Sequence, residues 1–159
     1  MNVAERREID AFLGRHRTAS LATVGEDGQP HAANVQFVHD EAWRLIWVSS
    51  PQSRHSRQLA SRPAAAVTIY APTDDPAEIH GVQMHGQVAA GVAVDQPGWD
   101  TLWDRYRAKF SFVETSEALR AAVERQQFYV FRPTWVRWID NRRRFGWKAE
   151  WRLGEDSSP

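Results

Sequence analysis

The amino-acid sequence predicts a mainly β, α+β fold: a small antiparallel barrel decorated by helices. Three observations carry this reading. Short β-prone stretches recur along the chain and are joined by connections of only a few residues, the mark of an antiparallel meander. Helical periodicity is confined to the start, the middle and a late segment, which is not the regular strand–helix alternation of a doubly wound sheet. The 159 residues suit one domain, and a hydrophobic fraction of 42% is enough to fill its core.

Taken in order, residues 2–16 read as an amphipathic helix. Val3, Ile9, Phe12 and Leu13 form its apolar stripe, and Gly14 with Arg15, His16 and Arg17 marks its end. Residues 18–24 are a first strand and 25–28, Gly-Glu-Asp-Gly, a turn. Residues 31–39 and 43–49 read as the second and third strands, with Asp40 and Glu41 between them. Ser53 can cap a helix over 54–61 that stops before Pro63. A fourth strand covers 64–70 and a loop 72–76. Residues 79–94 read as one long β segment. In it Val82, Met84, Gly86 and Val88 point one way and Gln83, His85 and Gln87 the other. Helices are expected over 97–109 and 115–126, the second capped by Ser116. Residues 128–139 form a strand in which Pro133 marks an edge or a bulge, and 146–153 a last short strand. The domain is expected to span 1–153, with 154–159 a loose polar tail.

Composition excludes several classes of function. The 20 basic and 20 acidic residues cancel, whereas a general nucleic-acid binder carries a basic surplus. The absence of cysteine removes disulfides, thiolate nucleophiles and thiolate metal sites. No apolar run approaches the roughly 20 residues of a membrane helix, and the charged N-terminus has no signal core. A cytoplasmic location is expected. Neither Gly-x-Gly-x-x-Gly, Gly-x-x-x-x-Gly-Lys nor Gly-x-Ser-x-Gly occurs. His80 and His85, five apart on one strand, fall on opposite faces, and no metal site is expected.

The stretch 45–59 carries the most chemistry. A hydrophobic strand ends in the hydroxyls Ser49 and Ser50, and after a turn Ser53, Arg54 and His55 stand at a helix start. A helix N-terminus offers unpaired N–H groups and partial positive charge, so the added hydroxyls, guanidinium and imidazole suit a phosphate. A capped surface helix with solvated arginines accounts for the same spacing.

Four ordered pieces of the sequence resemble the FMN-binding split-barrel superfamily of pyridoxamine 5'-phosphate oxidase-like proteins. They are residues 30–40, Pro-His-Ala-Ala-Asn-Val-Gln-Phe-Val-His-Asp; the strand end Val48-Ser-Ser with Ser53-Arg-His; Gly81-Val-Gln-Met-His-Gly; and Asp140-Asn followed by Phe145-Gly-Trp-Lys. The resemblance implies a six- to seven-stranded antiparallel split barrel, an FMN cofactor, and a homodimer with the flavin between subunits. It assigns Ser49, Ser50, Arg54 and His55 to the FMN phosphate. Ala33, Asn34 and Val35 would line the isoalloxazine, and Gln83 would reach its polar edge. Trp147 and Lys148, from the other subunit, would close the site. His55 stands where the family usually has lysine, which ties phosphate binding to pH.

The implied activity is flavin-dependent hydride transfer through N5 to a small molecule. The C-terminal arginine and histidine elements with which the true oxidases grip a phosphorylated substrate are not found in this sequence. A non-catalytic flavin protein for storage, sensing or stress response stays open. So do a deazaflavin coenzyme, whose anionic tail would suit Arg142, Arg143 and Arg144, and haem, with His31, His39, His80 or His85 as axial ligand. The arginine triplet also reads as a solvated loop or interface rim. Trp43, Trp47, Trp135 and Trp138 read as core or interface packing rather than flavin stackers.

Overall fold

The computed structural model describes residues 1–154. The expected tail from 154 onward therefore lies outside the described residues, Gly154 excepted. Helix α1 (Val3–Arg15) opens the chain, with Asn2 and Glu5 closing a reciprocal capping box at its start. It buries Ile9, Phe12 and Leu13. Gly14 lies inside this helix rather than ending it, and the cap is the extended residue His16. Strands β1 (Thr18–Val24), β2 (Pro30–His39) and β3 (Leu45–Ser49) follow, then α2 (Arg54–Ser61), β4 (Ala64–Tyr70) and β5 (His80–Val88). Helices α3 (Trp99–Lys109) and α4 (Glu117–Glu124) precede β6 (Gln127–Asp140) and β7 (Lys148–Arg152).

All seven strands form one antiparallel sheet in the order β3-β2-β1-β4-β5-β6-β7, closed by pairing of β3 with β6. The closure produces the split. The first half of β6, residues 127–131, pairs with β3, while residues 135–139 of the same strand pair with β7. Two strands thus share one edge of β6 and diverge around Pro133. That proline has no N–H to offer a neighbour, so it fits the changeover. Opposite it the β5–β6 register shifts between His85 and Gly86. Pro133 therefore sits at a bulge inside the barrel rather than on an outer edge.

Gly86 is required at this bulge. A Cβ there would meet the Arg132 carbonyl oxygen at 2.0 Å and the Pro133 Cα at 2.8 Å. Gly81, five residues earlier, is also close to β4, its Cβ position lying 2.6 Å from the Ile69 carbonyl oxygen. Both glycines of the Gly81-to-Gly86 motif serve close backbone approach.

Inward residues Leu21, Val67, Val82, Met84, Val136 and Trp138 fill the barrel together with Phe12, Phe37 and Trp47. A second apolar cluster, built on Trp99, Trp103, Tyr106 and Phe110, seals α3 against Val38, Ile46 and Phe128. Burial pushes the Tyr106 phenol up to about 12.

Three boundaries depart from the sequence reading. The third strand begins at Leu45 rather than 43, because Trp43 sits in the β2–β3 turn at φ +58°. The Asp40 carboxylate holds that turn by accepting from the N–H groups of Ala42 and Arg44. The long segment 79–94 is a strand only to Val88; beyond it a single bridge joins Val92 to Phe128. Helix α3 starts at Trp99, since Gly98 caps it in the left-handed region. No helix among the described residues is long and apolar enough to cross a membrane.

Candidate functional site

The β2–β3 pairing runs only from His39↔Leu45 to Phe37↔Trp47. Beyond it β3 follows β6 instead, with Ser49 opposite Gln127. On that edge residues 33–35 of β2 have no strand partner among the described residues, and α2 begins after the short turn that follows β3. Ser53 is the N-cap, its hydroxyl accepting from the Ser56 N–H at 3.3 Å. The first-turn N–H groups of Arg54 and His55 are left open to an external acceptor.

The predicted phosphate ligands meet at this corner. His55 Nε2 lies 2.9 Å from the Ser49 hydroxyl and 3.1 Å from that of Ser53. Ser50 shapes the turn: its hydroxyl accepts from the Gln52 N–H and its carbonyl from the Ser53 N–H. Arg54 is exposed and forms no ion pair among the described residues. Burial, and then the neighbouring His31 imidazole, hold the His55 pKa below its usual value. His31 belongs to the corner, although the sequence suggested it only as a haem ligand. Its approach to His55 comes from the packing of α2 on β1 and β2, a long-range contact with no local signal.

Residues of β2 divide by face. Asn34 points outward and bonds to the Ser20 hydroxyl at 2.9 Å. The Val35 side chain is buried in the barrel core, so only its main chain is available to a ligand outside. Ala33 is half-buried beside it.

The remaining predicted residues lie elsewhere. Gln83 stands on the outer face of β5, in a row of register partners running Asn34, Ser20, Thr68, Gln83, Arg137 and Glu150. Three strand spacings, about 14 Å, separate Gln83 from Asn34. Trp147 packs against the core with the Arg143 guanidinium 4.3 Å from its ring, and Lys148 is exposed at the start of β7. One chain therefore brings Asn34, Ser49, Ser50, Arg54 and His55 to one region, and Gln83, Trp147 and Lys148 to others.

The arginine triplet lies in an exposed turn, as the sequence suggested, but two of its three members are tied down. Asp140, with 4% of its side chain exposed, accepts from Arg142 at 2.7 and 2.9 Å and pairs with Arg143 at 3.5 Å. Burial opposes ionisation of this carboxyl, but Arg142 and Arg143 outweigh it and hold the pKa below the usual range. Arg143 also pairs with Glu8 of α1.

Of the histidines proposed for haem, His39 is bound to Asp10, and His80 to the Glu78 carbonyl with its ring against Phe12 and Trp138. His85 is exposed and stacks on Trp135 at 4.6 Å, on the sheet face opposite to His80. Trp43, Trp47 and Trp138 are core residues, each with a buried indole N–H that has no partner among the described residues.

Topology defines an α+β split barrel, and Ser49, Ser53 and His55 gather, next to Arg54, at the Ser49 end of β3. The chain belongs to the pyridoxamine 5'-phosphate oxidase family, whose sequence profile matches residues 6–140. A pyridoxine/pyridoxamine 5'-phosphate oxidase from Methylibium petroleiphilum is 34% identical over 62 residues, which are 39% of this chain and 29% of that protein. The matched stretch thus spans under a third of that curated relative. Among solved structures, a haem-binding protein from Mycobacterium smegmatis superposes with a TM-score of 0.71 at 21% identity, covering 96% of this chain and 59% of that one. An F420 reductase superposes with a TM-score of 0.60 at 22% identity, covering 80% of this chain and 94% of that one.

Proposed function

We propose that this chain is an FMN-binding oxidoreductase acting as a homodimer, with each flavin held between subunits. The observation that carries the reading is the corner at the Ser49 end of β3. Open N–H groups, the Ser49 hydroxyl, the His55 imidazole and the uncommitted Arg54 guanidinium converge where a terminal phosphate is expected. This donor set fits a phosphate, since it offers hydrogen-bond donors and cationic charge, with Arg57 beside Arg54 in a cavity that Glu26 and Asp27 also line. Asn34 and the main chain of 33–35 lie next along β2, where a ring system linked to that phosphate would rest. Membership of the family supports FMN as the cofactor.

Bound FMN would supply hydride transfer at N5. The chain's own part is to grip the phosphate, fix the ring plane and present polar groups to the ring edge. Gln83, three strands from Asn34, and Trp147 and Lys148, before and on β7, lie on other elements than the corner, and we read them as delivered to each flavin by the partner subunit. No side chain stands out as a general acid or base. The substrate is a small molecule, and the cytoplasm suits a chain with an uncharged balance and no cysteine.

Haem is the second reading. The exposed, stacked imidazole of His85 favours it, and so does the haem-binding protein among the structural neighbours. The deciding experiment is the visible spectrum of protein purified without added cofactor, followed by titration with FMN. Flavin bands, or saturable FMN binding that Arg54→Ala and His55→Ala weaken, support the proposal. A Soret band that His85→Ala abolishes moves the assignment to haem, and absorption of a deazaflavin moves it to that coenzyme. Folded protein that is colourless and gives no heat with FMN refutes the proposal. Stopped-flow reduction by NADH and NADPH separates an enzyme from a non-catalytic flavin binder.

A further inference from the structure

Gln83 is held by a neighbour that the flavin reading does not use. Its register partner Arg137 donates from Nη1 to the Gln83 Oε1 at 3.2 Å. The same guanidinium donates from Nε to Glu150 Oε1 at 2.8 Å, with Nη2 2.7 Å from that oxygen. Its Cζ lies 5.0 Å from the centre of the Trp135 ring, on which His85 stacks. Arg137 is thus fixed by a carboxylate on β7 and an aromatic ring on its own strand, and it presents its remaining edge to Gln83.

We propose that Arg137, anchored by Glu150, is a positioning residue that locks the Gln83 amide with its N–H2 end toward the ligand. A side-chain amide has one acceptor end and one donor end. With one lone pair of Oε1 held by a cationic donor, the amide's orientation is fixed and both Nε2 hydrogens are left to be offered. Flipping the amide would face N–H groups against a guanidinium and lose a charge-assisted bond. Gln83 lines a cavity of about 330 Å³ whose walls include Thr68, Tyr70, Ile79 and Ile139. A ligand atom that meets Nε2 there is an acceptor, such as a ring carbonyl. The nearby positive charge polarises the amide and strengthens its donation, most of all to a ring that gains electron density on reduction.

The proposal rests on the FMN reading, and names the flavin's carbonyl edge as the group that Gln83 meets. Lysine cannot replace Arg137, because its single ammonium cannot bridge Glu150 and Gln83 as the rigid fork does.

The test measures FMN dissociation constants and the midpoint potential of the bound flavin for wild type, Gln83→Ala, Arg137→Lys, the double variant and Glu150→Gln. Far-UV circular dichroism and melting temperature report folding. Gln83→Ala is expected to weaken FMN about tenfold, the worth of one such bond. If the reduced flavin loses about tenfold more than the oxidised one, the potential falls by about 30 mV. Arg137→Lys should reproduce both changes with its fold intact, and the double variant should be no worse than either single one. Glu150→Gln keeps an acceptor oxygen but loses the charge that anchors Arg137, and should shift affinity in the same direction as Arg137→Lys by a smaller factor. Wild type that binds FMN, with Arg137→Lys unchanged in affinity and potential, overturns this inference alone. Additive effects of Gln83→Ala and Arg137→Lys do the same. Wild type that does not bind FMN overturns the cofactor reading and this inference with it.

Discussion

Replacing Gly86 by alanine tests the account of the split most directly. The added Cβ would lie 2.0 Å from the Arg132 carbonyl oxygen, and ordinary contact begins at 3.4 Å, so the backbone must retreat by about 1.4 Å. Nothing flexible can absorb the shift, because the obstacle is the main chain of β6 beside Pro133. Overpacking a tight site costs about 1–3 kcal/mol, and a backbone obstacle places this case near 3. For a domain of this size that is a fall in melting temperature of about 6–12 °C. Gly146→Ala is the control. Gly146 has φ +72° and nothing within 4 Å of its Cβ position, so it pays only the left-handed penalty of about 1–2 kcal/mol. Urea unfolding at neutral pH, followed by tryptophan fluorescence, compares the two. A Gly86→Ala variant as stable as Gly146→Ala, or more stable, would refute the bulge as the reason for that glycine.

Three further outcomes follow from the charged groups. An FMN phosphate would give His55 a partner and raise its pKa from the depressed value of the free protein. Binding then takes up a proton, and affinity falls as pH rises through that window, by at most about tenfold per pH unit. Titrations at about pH 6 and pH 8.5 check this, and His55→Lys should flatten the profile. Asp140 has a depressed pKa, so its stabilisation is complete above the unfolded value near 3.9 and is lost as pH falls through the lower folded one. Asp140→Asn should flatten stability on the acid limb and cost about 2 kcal/mol in urea melts, kept low because Arg142 and Arg143 can resolvate. Lys109 donates to the carbonyls of Leu13 and His16 at the end of α1, and burial, reinforced by Arg17, pulls its pKa down to about 8. The unfolded chain binds that proton more tightly, so stability should climb between pH 8 and about 10.4. Comparing the slope with that of Lys109→Met isolates the contribution.

Local pattern made most strands and helices legible, because alternation and capping are properties of neighbouring residues. Thr18–Val24 buries alternate residues, and Ser53 and Ser116 cap the helices they were expected to cap. The misreadings come from non-local partners. Nothing about tryptophan signals a left-handed turn at Trp43; Asp40 imposes it. Arg142 and Arg143 look solvated until β6 carries Asp140 beneath them. Arg137 and Glu150 each read as the polar side of a strand, and only the β5–β6–β7 register joins them to Gln83. The split itself was invisible to periodicity, since it depends on β3 and β7 dividing one edge of β6.

The distance between the phosphate corner and Gln83 makes the proposed dimer testable without a structure of it. Suppose each site takes Arg54 and His55 from one chain and Gln83 and Lys148 from the other. Arg54→Ala/His55→Ala then damages both sites of its homodimer, and so does Gln83→Ala/Lys148→Ala. A twofold heterodimer of the two variants concentrates all damage in one site and leaves the other intact. Random reassortment of equal amounts, by co-refolding from urea, makes about half the dimers mixed, so about one quarter of all sites regain wild-type FMN affinity. If a single chain built the whole site, every chain in the mixture would carry a defect and none would recover. Fluorescence titration of the mixture against the unmixed variants reads the recovered fraction, and its absence from a demonstrably mixed dimer would remove the shared site.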